Sequence, residues 1–247
     1  MSGTDRRIER AASKADLAEL VAARFVDLLV ELTAQQDAVH VSLTGGSMGA
    51  AVLERVVSRS GEFDAARVHY WWSDERFLPR ADAERNAGQA RAALLDVVDV
   101  PAENIHEPAA SDDGLRLDEA AVAYAGELAG FGADGIAAPA FDVCFLGVGP
   151  DGHIASLFPG RDEIDIADGT VLAVRNSPKP PPERVTFTLP VINGSRRVWL
   201  VAAGDDKASA LGRVVSGDTA LPAARAAGTH ETVVWADDAA AAEFPSA

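Results

Sequence analysis

The sequence has one cysteine in 247 residues, Cys144. It therefore forms no internal disulfide. Its neighbours are apolar rather than basic, so it does not read as a reactive thiol. Positive charge is also scarce. Lys and Arg number 22 against 38 Asp and Glu, a formal charge of −16. Such a surface repels nucleic acid and anionic membranes, which excludes both as main partners. No apolar run approaches the roughly 18 residues of a membrane helix. The opening stretch MSGTDRRIER is polar and does not read as a secretory signal. A soluble cytoplasmic protein is expected. There is no Gly-Lys-Ser/Thr of a Walker loop and no G-x-G-x-x-G of a dinucleotide fold. No His, Cys and Asp cluster has metal-ligand spacing, so no metal is expected. Internal repeats and long linkers are absent. The acidic pairs Asp112-Asp113 and Asp237-Asp238 read as solvated faces.

What is present is a core. Apolar residues make up 48% of the chain. The length suits a single large α/β domain. Residues 1–12 and 237–247 read as peripheral, the first as frayed or as an edge segment. Ser13-Lys14-Ala15-Asp16 is a capping-box pattern, and the apolar positions from Leu17 to Leu32 share one helix face. Strands are expected at Val39–Leu43, Val68–Trp72, Val143–Leu146, Thr170–Val174, Arg184–Leu189, Arg197–Ala202 and Thr232–Trp235. Helices are expected near 48–56, 83–95, 115–128 and 208–215. The run 130–140 reads as a Gly- and Ala-rich connector.

The most informative stretch is Phe141 to Gly160, FDVCFLGVGPDGHIASLFPG. A short apolar strand breaks into Gly147-Val148-Gly149-Pro150-Asp151-Gly152-His153. Such a break forces a tight turn just past a strand end. Ligand sites in open α/β sheets lie there. Asp151 and His153 are an acid and an imidazole suited to moving protons.

Three other strand ends carry chemistry. Thr44-Gly45-Gly46-Ser47 joins a strand to a helix, which is the architecture of a phosphate cradle or of an ordinary βα turn. Ser73-Asp74-Glu75-Arg76 puts three charges directly after an apolar strand, as an imidazole-orienting or oxyanion-neutralising group or as a local salt bridge. Lys207 sits in the first turn of a helix, where a cation gains from the dipole only if an anion is present. Arg184 stands at the entrance of its strand, after the rigid loop Ser177-Pro178-Lys179-Pro180-Pro181-Pro182. Arg85 and Asn86 are expected to face the same strand ends, whereas His40 is expected in the core or at a sheet edge.

Together these motifs resemble the 6-phosphogluconolactonase family, within the larger group that includes glucosamine-6-phosphate deaminase. The motifs Thr44–Ser47, Trp72–Arg76, Gly147–Pro159, Ser177–Pro181 with Arg184–Thr186, and Gly204 with Lys207 occur in the family's order. The resemblance implies a modified doubly wound, Rossmann-like α/β domain with a mostly parallel sheet and flanking helices. It implies hydrolysis of 6-phospho-D-glucono-1,5-lactone to 6-phosphogluconate, the second step of the oxidative pentose phosphate pathway. No organic cofactor is implied, and the expected partner is the small sugar-phosphate lactone alone. The expected assembly is a monomer or weak homo-oligomer.

On this reading His153 is the general base, oriented by Asp151 or Asp74, with Glu75 a further candidate. Arg76 neutralises the developing oxyanion. Gly45, Gly46, Ser47, Arg184 and Lys207 hold the 6-phosphate. Two alternatives stand beside it. Deaminases of the sister family typically follow Asp-Gly-His with an Asn-Glu pair, where this chain has Ser156-Leu157-Phe158. A sugar-phosphate sensor would carry a DNA-binding segment ahead of the domain, and only a short polar stretch precedes the first helix here.

Overall fold

A computed structural model of the chain describes residues 6–132 and 137–245. The connector expected over 130–140 lies partly outside the described residues. Two sheets organise the fold. The larger has six strands: β1 (Arg7–Ala11), β2 (Val39–Leu43), β3 (Val68–Trp72), β5 (Val143–Gly147), β8 (Arg197–Ala202) and β9 (Glu231–Asp237). Their order is β1-β9-β8-β5-β2-β3, and every pairing is parallel. The smaller sheet is antiparallel, in the order β4 (Asp74–Arg76), β7 (Arg184–Phe187), β6 (Val171–Val174). The sequence reading foresaw β6 and β7 as strands but not a second sheet. Asp74–Arg76, expected only as charges following the end of β3, pair as a strand with β7.

Helix α1 (Lys14–Gln35) starts as the sequence predicts: Ser13 is its N-cap and accepts from the Asp16 amide at 3.2 Å. It packs with α2 (Gly46–Val56) on one face of the large sheet. Phe25 meets Phe145 edge-on at 4.9 Å, a geometry worth about 0.5–1.5 kcal/mol beyond burial. The short helix α3 (Asn86–Ala90), which runs into a π turn at Arg91–Leu95, covers the same face. Helix α4 (Leu117–Gly130) and the small sheet cover the opposite face. With them lie α5 (Leu189–Asn193), α6 (Ala208–Val215) and α7 (Pro222–Arg225). Strand β5 shows why both faces close: Val143 and Phe145 enter one core, Cys144 and Leu146 the other.

Of the two readings of the N-terminal stretch, the edge segment is the one found, while part of the C-terminal stretch is buried. Residues Arg7–Ala11 form an edge strand on β9. Asp237, expected in solvent, is 5% exposed and accepts from the Gly204 and Ala240 amides. Its carboxylate fixes the turn that leads to Lys207.

Three imidazoles stack near the amino ends of β2 and β3. His40 lies 4.9 Å from His69, and His69 lies 5.2 Å from His106. His40 Nδ1 accepts from the Trp71 indole. Burial, then the neighbouring histidines, pushes His40 from 6.5 down to about 4. A depressed folded value means that stability is present above pH 6.5 and is lost as pH falls toward 4. Protonating this site should cost about 2–3 kcal/mol. Urea unfolding at pH 7 and pH 4.5 should show the loss. His40→Gln, which has no imidazole to charge, should flatten the slope.

Candidate active site

Chain order reverses direction across the large sheet between β2 and β5, since β2 leads to β3 on one side and β5 leads to β8 on the other. Open α/β sheets bind ligands at the carboxyl ends of strands at such a switch point. A cavity of about 290 Å³ opens there. Its lining comes from the loops after β2 and β5, from β4, α3, β7 and the proline loop, and from the end of β8 through Lys207. The loops after β2 and β5 are tied together: Thr44 Oγ1 accepts from the Gly147 amide at 3.1 Å.

His153 is held from one side. Its Nδ1 meets Asp151 Oδ1 at 2.5 Å, so Nδ1 carries the proton and donates it to the carboxylate. Nε2 has no partner among the described residues. Burial lowers the affinity of the ring for a second proton and Lys179 lowers it further, against the pull of Asp151 and Asp74. The net shift is downward, which keeps the ring neutral and basic at lower pH. Burial would raise the Asp151 carboxyl, but the hydrogen bond from His153 and the charge of Lys179 bring it below its usual range.

Glycine is required beside this pair. A Cβ on Gly149 would lie 2.0 Å from His153 Nδ1 and 2.5 Å from Asp151 Oδ1. Gly149→Ala should therefore push the imidazole out of place while leaving the strand intact. A displacement near 1 Å in a reacting group can cost about 100-fold in rate. Far-UV circular dichroism beside turnover separates this from unfolding. Gly45 is constrained in the same way, by Asn86 Oδ1 at 1.7 Å from its hypothetical Cβ.

The small sheet sorts the charged triplet. Alternate residues of a strand face opposite sides. Asp74 and Arg76 line the cavity. Asp74 accepts from Ser156 Oγ at 2.7 Å. Arg76 donates to the Glu84 carbonyl at 2.6 Å, and its buried Nε has no partner among the described residues. Glu75 turns away. It is 1% exposed and accepts from the Arg76, Asn86 and Ala87 amides at 2.7–2.8 Å. Its role as an alternative orienting acid is not supported by this placement, because the carboxylate anchors the start of α3 rather than facing the cavity.

The expected phosphate group is brought together with one reassignment. Gly45, Gly46, Ser47, Arg184 and Lys207 all line the cavity. The Gly46 amide, however, already donates to Gln89 Oε1 at 3.2 Å. Ser47 Oγ accepts from Lys14 Nζ at 2.8 Å, a contact the sequence did not reveal. Arg184 is 4% exposed and its guanidinium donates to the carbonyls of Lys179, Pro180 and Pro181. It is a brace before it is a phosphate ligand. Lys207 pairs with Asp206 at 2.8 Å. The sequence reading missed Lys179 as a site residue. It also placed Asn86 without a role: its side-chain amide donates to the Asp74 carbonyl at 2.8 Å. The signal for Lys179 was there, as the one charged residue of a rigid Pro-rich loop.

Four cations, Arg76, Lys179, Arg184 and Lys207, line the cavity against one carboxylate, Asp74. That is a positive pocket in a chain of charge −16. It suits an anionic ligand. Among the described residues, no cluster of three or more His, Cys, Asp or Glu is arranged to hold a metal ion. Among them too, no helix is long and apolar enough to cross a membrane.

Comparison with known proteins gives a consistent result. The family model described as glucosamine-6-phosphate isomerases/6-phosphogluconolactonase matches residues 12–235. A curated Streptomyces coelicolor protein named 6-phosphogluconolactonase is 44% identical over 237 residues, covering 93% of this chain and 91% of that one. A Mycobacterium tuberculosis protein of the same name is 44% identical over 227 residues, covering 90% and 92%. The solved structure of 6-phosphogluconolactonase from Thermotoga maritima superposes with a TM-score of 0.83 at 27% identity, covering 95% of this chain and all of that one.

Proposed function

Because the chain belongs to the glucosamine-6-phosphate isomerase/6-phosphogluconolactonase family, we propose that it hydrolyses 6-phospho-D-glucono-1,5-lactone to 6-phosphogluconate. The observation that carries this reading is the His153–Asp151 pair at the mouth of a cationic cavity, with Nε2 unpartnered among the described residues. A δ-lactone is an activated ester. It needs a base for water, a stabiliser for the oxyanion and an anchor for the phosphate.

In the proposed mechanism His153 Nε2 takes a proton from water as the water oxygen adds to the lactone carbonyl carbon. Asp151 holds Nδ1 and stabilises the imidazolium. Arg76 neutralises the negative charge on the former carbonyl oxygen. The tetrahedral intermediate collapses with cleavage of the bond from that carbon to the ring oxygen. The imidazolium returns its proton to the departing ring oxygen, and the new carboxyl ionises. The phosphate end lies by the Gly45–Ser47 loop, where the start of α2 has no acidic residue, and by Lys207. Arg184 braces the walls.

The deaminase alternative is not favoured. The segment after His153 supplies Ser156, which hydrogen-bonds Asp74, where that chemistry uses a further carboxylate.

The test is hydrolysis of lactone generated in situ from glucose 6-phosphate, followed through 6-phosphogluconate dehydrogenase. Turnover well above spontaneous opening is the expected result. No turnover above background, with ammonia released from glucosamine 6-phosphate instead, would replace the reading with the deaminase.

A further inference from the structure

The proline loop Ser177–Pro182 carries one charged side chain into the cavity, that of Lys179. Its Nζ lies 3.2 Å from Asp151 Oδ1 and 3.3 Å from His153 Nδ1. Nδ1 cannot accept from this amine while it donates its own proton to Asp151. Lys179 therefore donates to Oδ1, and its contact with the ring is one of charge. A cation so close to the imidazole opposes any further proton on it. It also offsets the anion that would favour that proton.

The position of Lys179 is not left to chance. Three consecutive prolines remove backbone donors from this loop, and three successive carbonyls need partners. The Arg184 guanidinium satisfies all three. It donates from Nε to Pro181 O at 3.1 Å, and from one terminal nitrogen to Pro180 O at 2.9 Å and Lys179 O at 3.1 Å. Its other terminal nitrogen reaches Ser156 Oγ at 3.4 Å and lies 3.8 Å from Asp74 Oδ2. A planar, five-donor group can make this set of contacts and an ammonium cannot. One buried side chain thus locks the Lys179 loop to the segment that follows His153.

We propose that Lys179, placed by Arg184, is a positioning residue that acts through its charge on the Asp151–His153 pair and sets the pH at which His153 becomes a free base. This rests on the base role given to His153 above. The charged groups acting on the imidazole are Asp151 from its own loop, Lys179 from the proline loop and Asp74 from β4; Arg184 from β7 lies beyond Phe158. Arg184 is held off the imidazole by Phe158, whose ring centroid lies 4.6 Å from that of His153 and 5.9 Å from the guanidinium. Of the two cations, Lys179 is the one in contact with the pair. Its removal leaves Asp151 unopposed, so the pair should bind its proton at higher pH.

The test is the pH profile of kcat/KM for the wild type, Lys179→Met, Lys179→Arg and Arg184→Lys. NMR titration of the His153 imidazole is run on the same proteins. Lys179→Met should move the acidic limb up by about one pH unit, so that below the limb the rate falls about tenfold further relative to its plateau. Lys179→Arg should restore the wild-type limb. Arg184→Lys should move the limb the same way as Lys179→Met, because the loop loses its brace. A Lys179→Met limb within 0.2 units of wild type overturns the proposal, with ~0.2 being small against the shift expected from a neighbouring charge. A raised KM with an unmoved limb also overturns it and makes Lys179 a substrate ligand. An unmoved limb in Arg184→Lys alone overturns the bracing role. The NMR titration needs no turnover. It decides the Lys179 effect even if the wild type fails to open the lactone, an outcome that would sink only the functional reading.

Discussion

His153→Ala is expected to lower kcat/KM for the lactone by about 10²–10⁴-fold, the usual contribution of a positioned general base. The fold should survive. His153 lies in a loop, and its ring packs on Phe158 at 4.6 Å without entering a sheet. KM should change little, because the cationic lining proposed to hold the phosphate is untouched. Asp151→Asn should share the defect. Its amide can donate to Nδ1 and favour the tautomer with the proton on Nε2, which cannot take one from water. The lactone opens spontaneously, so rates are compared after subtraction of the uncatalysed reaction. A His153→Ala protein with wild-type turnover and an intact far-UV spectrum would remove the base from the mechanism. Asp74 would then be the next group to test, since it alone among the carboxylates lines the cavity.

The second large effect is on stability, at Glu75. Glu75 and Arg85 are each 1% exposed and lie 3.7 Å apart. Burial pushes the Glu75 carboxyl up, against the opposing pull of Arg85 and three backbone amides. Those amides belong to Arg76, Asn86 and Ala87, so one side chain fastens β4 to the start of α3. Arg85 in turn donates to the carbonyls of Leu78 and Pro108. Glu75→Ala leaves a buried guanidinium without its counter-charge and three amides without an acceptor. Breaking a buried pair from one side costs about 3–5 kcal/mol. Glu75→Gln should cost less, about 1–3 kcal/mol, because one oxygen still accepts. Urea denaturation followed by tryptophan fluorescence reads both. A catalytic Glu75 would give the opposite pattern, with normal stability and a collapsed rate.

The contrast between Glu75 and its two neighbours shows where the sequence stopped. Asp74, Glu75 and Arg76 looked alike as a charged run after an apolar strand. Recognising β4 as a strand would have separated them by alternation. Its partner β7, however, lies about 110 positions later, pairing Asp74 with Thr186 and Arg76 with Arg184. Nothing local announces that pairing. Arg184 was legible as a cation near the site, but not as the donor to three carbonyls of the loop before it. The link from Lys14 to Ser47 joins the starts of two different helices and was likewise invisible.

What the sequence determined by itself was local and periodic. Apolar runs of four to six residues specified five of the six strands of the large sheet, all but the polar edge strand β1. Ser13 and Asp16 specified the start of α1. Glycines after β2 and β5 marked the two loops that form the cavity's floor, and the order of the motifs pointed to the family. These features depend on backbone sterics and on side-chain spacing within one turn or one strand, which a linear chain states directly. The tertiary structure decided which side of β4 each charge faces. It also decided which cations are free to meet a ligand and which brace a wall, and that Lys179 rather than Asp74 stands in contact with the His153–Asp151 pair. Those outcomes depend on strand order and on the burial of groups far apart in sequence. There, the cost of an unpaired buried donor or charge selects the partner, and that cost exists only once the chain has closed around it.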